Sequence, residues 1–327
     1  MKQINYDQLT FLDLSDLKDD YLKIFEKALQ DGKSATSGVI TPGLETRWVQ
    51  WKANNDPKGT IPETVEDLLI GDFRLLLSVY QRFLDLKILA KVDDGNGNMI
   101  DNSVWVDLVH IFHYTDGYDE RIADFFYDKS EQLGITTCYY CEMAYINTYS
   151  VTKDDGTRGK RRQFDVDHFL PKGDCPCLAL SLFNFIPSCQ VCNSRIKLKG
   201  LPAVKTLSDL AYLSPSSPVA DFENKIKIRL RFSNKKKGEQ RYIYFEADYP
   251  YNKYIQFFHL QERYGFHRKE AIRLKELKKR YPDTKIEKIA KLLNYRKTKV
   301  KEDIFRQKYL AQEGRCFAKF TNDLLTE

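Results

Sequence analysis

The sequence predicts an α+β protein, mostly helical, with a strand-rich middle and a further β-hairpin in its C-terminal part. Three observations lead there. Apolar residues recur at helical spacing through much of residues 1–134 and again from Tyr254 onward. Between those regions, alternating stretches are joined by turn dipeptides. Hydrophobic residues make up 42% and charged residues 30% of the 327, enough for a core and a well-solvated surface.

Taken in order, Ser15 and Asp16 precede a periodic run from Leu17 to Leu29. Residues 33–60 are rich in Gly, Ser, Thr, Asn and Asp and read as a loop, with Trp48 and Trp51 embedded in it. Pro62 fits a helix start, because its missing N–H costs nothing in a first turn. Leu68, Leu69, Phe73, Leu76, Leu77, Tyr80, Phe83 and Leu84 then recur at helical spacing. Asp93 to Gly97 is a turn, and Val104 to His113 and Asp119 to Leu133 read as two further helices. Tyr145 to Val151 is β-rich, Asp154-Asp155-Gly156 marks a hairpin turn, and Gln163 to Val166 reads as the returning strand. Phe183 to Arg195 finishes in a helix. Lys225–Phe232 and Arg241–Ala247 form a second hairpin, and three or four helices follow. The divisions expected are 1–134, 135–200 and 201–327.

The net charge of +6 is modest, but its distribution is uneven. From Arg158 to Lys199 there are eight basic and three acidic residues, and such a local field attracts polyanions. The first residues are mixed polar, unlike a secretory leader, and no apolar run approaches the roughly 20 residues a membrane-spanning helix needs. The expectation is a soluble cytoplasmic chain without a membrane partner. Thiols stay reduced in that compartment, so clustered cysteines point to metal.

Four cysteines form two pairs, Cys138-Tyr-Tyr-Cys141 and Cys189-Gln-Val-Cys192. A C-x-x-C turn presents two thiolates to one ion, and two such turns complete a structural Cys₄ zinc site. The wide gap between the pairs requires an insertion, in which Cys175 and Cys177 are alternative ligands. His110 and His113, three apart, have no convincing acidic or cysteine partner and read as packing or capping residues.

Between the pairs run Asp165-Val166-Asp167-His168-Phe169-Leu170-Pro171-Lys172 and Asn184-Phe185-Ile186-Pro187, and the second pair continues as Cys192-Asn193-Ser194-Arg195-Ile196-Lys197. This order over residues 135–200 resembles the HNH (ββα-metal) endonuclease family, which interleaves C-x-x-C with D-H-x-x-P, a mid-loop Asn and C-x-x-C-N-x-x-K. Lys197 falls one residue later than that pattern. More faintly, Phe169-Leu170-Pro171-Lys172, Leu180-Ser181-Leu182-Phe183-Asn184 and Leu260-Gln261-Glu262-Arg263-Tyr264 resemble the HNH nuclease subunit of Septu-like anti-phage defence systems. That likeness implies an ATPase partner.

The resemblance implies phosphodiester hydrolysis, DNA preferred, with RNA as the alternative substrate. The chemistry needs a base for the attacking water and positive charge for the leaving oxygen. His168 is the expected base, working as an imidazole of ordinary pKa near 6.5, so that activity falls below that pH and alanine there spares the fold. Asp167 and Asn193 offer oxygen ligands that suit Mg²⁺ or Mn²⁺ better than zinc. By resemblance, Asn184 holds the His168 loop through bonds from its side chain to the backbone. Arg158, Lys160, Arg161, Arg162, Lys172, Arg195, Lys197 and Lys199 are the expected phosphate contacts. The rival from another class is a non-catalytic zinc module that binds nucleic acid or a protein.

Overall fold

A computed structural model describes residues 1–4, 6, 13–33, 40–115, 117–198, 200–235, 238–305 and 314–326. Helix α1 (Leu14–Leu22) starts where the Asp13 carboxylate accepts from the Ser15 N–H, and it buries Leu17 and Tyr21. The periodic run then breaks before the short α2 (Glu26–Leu29). Two-residue strands β1 (Gly32–Lys33) and β2 (Ile40–Thr41) pair antiparallel.

The expected loop over 33–60 is overturned in its second half, where α3 (Leu44–Asn55) stands. Its polar composition masks an anchor: Trp48 and Trp51, three apart, share one buried face and stack at 5.3 Å. The Trp48 indole N–H donates to the Glu63 carbonyl at 2.9 Å. Pro62 does not open the next helix. Thr64 does, through a reciprocal capping box with Asp67, starting α4 (Val65–Ile70). Asp72 caps α5 (Phe73–Asp85), so one apparent run of apolar residues is two helices meeting at Gly71. The turn over 93–97 joins β3 (Lys91–Asp93) to β4 (Met99–Asp101). Helices α6 (Ser103–Ile111) and α7 (Tyr118–Asp128) follow, flanking a loop that carries His113 and Tyr114.

In the middle, β5 (Thr148–Thr152) pairs with β6 (Arg158–Arg162) around the expected Asp-Asp-Gly turn. The returning strand is therefore the basic run itself and not 163–166. The next strand, β7 (Asp165–His168), pairs antiparallel with β8 (Phe185–Ser188), placing His168 opposite Phe185. A π-helical segment, Val191–Lys197, follows β8. After α8 (Phe222–Lys225), β9 (Lys227–Lys235) and β10 (Gly238–Glu246) form the second hairpin. The remaining helices are α9 (Tyr251–Phe257), α10 (Leu260–Gly265), α11 (Arg268–Arg280), α12 (Asp283–Leu293), α13 (Lys297–Phe305) and α14 (Ala318–Thr326). These are more segments than the three or four expected. The fold is thus mixed helix with small antiparallel hairpins, and no helix among the described residues is long and apolar enough to cross a membrane.

One apolar cluster runs from Met1 to Leu325 and crosses both expected divisions. The N-terminal helices grip the loop after β7: the Tyr21 hydroxyl donates to Leu180 O at 2.7 Å, and Ser181 Oγ to Leu68 O at 2.5 Å. From the other side, the Tyr254 hydroxyl donates to Tyr140 O at 2.9 Å and the Tyr264 hydroxyl to Cys141 O at 2.6 Å. Apart from the exposed β5–β6 hairpin, the 138–198 stretch is consequently packed into the same core as the flanking helices.

Candidate metal centre and adjoining cleft

Four buried cysteines, Cys138, Cys141, Cys189 and Cys192, bring their sulfurs within 4.8 Å of one another. A tetrahedral ion with metal–sulfur bonds of about 2.3 Å needs sulfurs about 3.8 Å apart, and Cys141 and Cys189 stand at 4.0 Å. The surroundings suit thiolates. Backbone N–H groups of Cys189 and Met143 donate to Cys138 Sγ and Cys141 Sγ at 3.3 and 3.4 Å. Arg263 donates to Cys192 Sγ at 3.4 Å, a cation against an otherwise anionic cluster. An all-sulfur tetrahedral set can hold a metal ion such as zinc. Cys175 and Cys177 are not part of it; both are buried, with their sulfurs 3.4 Å from each other. His110 and His113 join no such ligand group among the described residues; His113 Nδ1 bonds to the His110 carbonyl at 3.0 Å.

The cluster ties the start of the π segment to the turn before β5, and so fixes what lies between. Asn184 is fully buried. Its Oδ1 accepts from the Leu170 N–H at 2.7 Å, and its Nδ2 donates to Leu170 O and Leu178 O at 3.0 and 3.2 Å. Three bonds from one amide thus clamp the loop leaving β7.

That loop in turn orients His168. Ala179 O lies 2.8 Å from His168 Nε2, and a carbonyl only accepts, so Nε2 carries the proton. Nδ1 is left unprotonated. The rings of Tyr114 and Phe185 pack against the imidazole at 4.7 and 4.8 Å. Burial, with lesser help from Lys172 and Lys197, pushes its pKa down to about 3. The expected ordinary imidazole is overturned here: His168 is neutral throughout physiological pH because its charged form would be desolvated.

Asp167 is 6% exposed, and burial raises its pKa. Its Oδ2 accepts from the Tyr140 hydroxyl at 2.5 Å and lies 3.3 Å from Lys197 Nζ. Lys197 also donates to His168 O at 2.7 Å and is only 2% exposed. It is therefore not a surface phosphate contact, contrary to expectation; its ammonium is the buried counter-ion of Asp167. Its late position in the motif has a local cause. The bond from Leu198 N to Asn193 O spans five residues, and a π turn takes one residue more than an α turn. The extra residue is absorbed in the wide turn, and Asn193 and Lys197 still line the same cleft. Asn193 Nδ2 donates to Asp165 Oδ2 at 3.0 Å, which turns the amide's carbonyl end away from that carboxylate.

Asp167, His168, Asn193, Lys172 and Lys197 line one cavity of about 730 Å³. Among the other expected phosphate contacts, Arg158, Arg161, Arg162 and Arg195 are exposed. Lys160 is exposed but engaged, 2.6 Å from the Asp128 carboxylate and over the Tyr127 ring. Lys199 lies outside the described residues. No role was expected for Tyr140, Asp165, Ala179 or Arg263; all but Ala179 sit inside motifs already quoted. No protein-family model matches the chain, and no curated protein or solved structure matches it either.

Proposed function

We propose that this chain is a metal-dependent endonuclease of the HNH (ββα-metal) kind, cleaving phosphodiester bonds with DNA preferred. The observation that carries this reading is the placement of His168: Nε2 is spent on Ala179 O, which leaves Nδ1 unprotonated, and the residue lines a cleft with Asp167, Asn193 and Lys197. A neutral imidazole nitrogen can take a proton from an attacking water, and a divalent ion that lowers that water's pKa would reduce what is asked of so weak a base. Asp167 and Asn193 would hold a Mg²⁺ or Mn²⁺ ion, which supplies positive charge for the phosphate oxygens. Asp167 already attracts a cation, Lys197, and the Asn193 carbonyl is the end of its amide not directed at Asp165. Asn184 holds the backbone that carries the base, and the four cysteines would hold a structural zinc. Arg162 and Arg195 supply exposed charge for the phosphate chain.

The test is incubation of purified protein with plasmid and with total RNA, each with Mg²⁺, Mn²⁺ or EDTA. Plasmid nicking or linearisation that needs a divalent ion is expected. Cleavage of RNA alone would move the substrate assignment, and no cleavage of either under any ion would remove the nuclease reading.

The depressed pKa of His168 carries a second expectation. Its folded value is about 3, against roughly 6.5 in the unfolded chain. The unfolded state therefore takes up a proton first, so stability is lost as pH falls from 6.5 towards 3. Cleavage should show no acid limb at 6.5 from this residue. Between pH 7.0 and 5.5 the wild type should lose about 1 kcal/mol more folding stability than His168→Gln, read from urea midpoints. Equal losses in both proteins would contradict the buried neutral state.

A further inference from the structure

The cleft at His168 has two unlike walls. One is polar and belongs to β7 and the π segment: Asp167, His168, Asn193 and Lys197. The other comes from α6 and the loop behind it, outside the motif-bearing stretch. Trp105, Val109 and Phe112 recur along α6 at helical spacing and line the cavity, joined by Tyr114. Trp105, Val109 and Tyr114 are only half-buried. Lys172 Nζ stands 4.3 Å from the centre of the Tyr114 ring, on the floor between the walls. Burial pushes the Tyr114 hydroxyl up to about 12 against the opposing charge of the nearby Arg162.

An aromatic and aliphatic wall has no use in hydrolysing a phosphate. It does suit a flat, apolar-faced group attached to that phosphate, and a nucleobase is one. Size points the same way. At about 730 Å³ the cavity falls in the ~300–1,000 Å³ range that encloses a single small molecule.

We propose that the cleft binds one unpaired nucleotide, its base against Trp105 and Tyr114 and its phosphate at the polar wall. The substrate class is single-stranded DNA, or duplex DNA that yields a base by unstacking, a step that costs least where pairing is already lost. This deepens the nuclease reading and rests on it for its purpose, though binding can be measured without cleavage.

The experiment is a fluorescence-anisotropy titration in buffer without added Mg²⁺ or Mn²⁺, where cleavage that depends on them does not occur and structural zinc is not stripped. The probe is a labelled oligodeoxynucleotide of about 12 nucleotides, single-stranded and as its perfect duplex. The wild-type chain is expected to bind the single strand roughly tenfold more tightly than the duplex. Trp105→Ala should lose about tenfold in single-strand affinity and little in duplex affinity, and Trp105→Phe should keep most of it. Should Trp105→Ala fold poorly, Val109→Glu keeps the ring and puts a negative charge in the wall, with the same expected loss. Equal wild-type affinity for single strand and duplex, or wild-type affinity in folded Trp105→Ala and Val109→Glu, overturns the proposal. The two readings fail separately. A chain that prefers single strands but cleaves nothing with Mn²⁺ keeps the pocket and loses the nuclease; one that cleaves plasmid without that preference does the reverse.

Discussion

Replacing His168 with glutamine is expected to slow divalent-dependent cleavage by roughly a hundred- to ten-thousand-fold, the usual worth of a positioned general base. Glutamine is the informative substitution because its amide can still donate to Ala179 O, while offering no basic nitrogen. Alanine is not the neutral deletion it looks like in sequence. The imidazole fills space between the Tyr114 and Phe185 rings, and its removal would leave a void there and an unpaired Ala179 carbonyl. A loss of a few kcal/mol in folding would then confuse the kinetic result. Rates of supercoiled-plasmid nicking, measured beside thermal melts, separate the two effects. A His168→Gln protein that melts like the wild type and cleaves within threefold of it would remove His168 as the base.

The larger effect on folding is expected at the cysteines. Structural zinc contributes apparent binding free energies of about 10–16 kcal/mol in small zinc modules, as much as the whole stability of an ordinary domain, about 5–15 kcal/mol. Cys189→Ala should therefore lose its zinc and either fail to accumulate as soluble protein or melt more than 10 °C below the wild type, a shift on the scale of several kcal/mol. The wild type should carry about one zinc per chain by elemental analysis. Wild-type protein that is folded, soluble and free of zinc would refute the assignment, as would a Cys189→Ala protein with an unchanged melting temperature.

The readable parts of this molecule were those encoded by neighbours in sequence. Two C-x-x-C turns announce a four-thiol cluster because each turn already makes half of it. The Asp154-Asp155-Gly156 turn and the 227–246 hairpin were legible for the same reason. Errors came where distant partners decide. Helix α3 hides in a polar segment because two tryptophans, held from Glu63 and Val104, outweigh its composition. Lys197 reads as a surface cation until β7 places Asp167 beside it. The pKa of His168 depends on Tyr114 and Phe185, which nothing in the local motif predicts. The aromatic wall of the cleft was invisible for the same reason: Trp105 and His168 are 63 positions apart in the chain.

The tyrosine bonds that cap the cysteine turn also bear on timing. Chains emerge from the ribosome N-terminus first and begin to fold as they do. Among the described residues, the carbonyls of Tyr140 and Cys141 receive donors from Tyr254 and Tyr264, and Cys192 a cation from Arg263. A nascent chain can have made all of residues 138–198 and still lack the groups that complete their surroundings. Pairings this remote in sequence also close slowly, since the loop entropy is lost before the contacts form. The surroundings of the cysteine turns are thus complete only once the chain has passed residue 264.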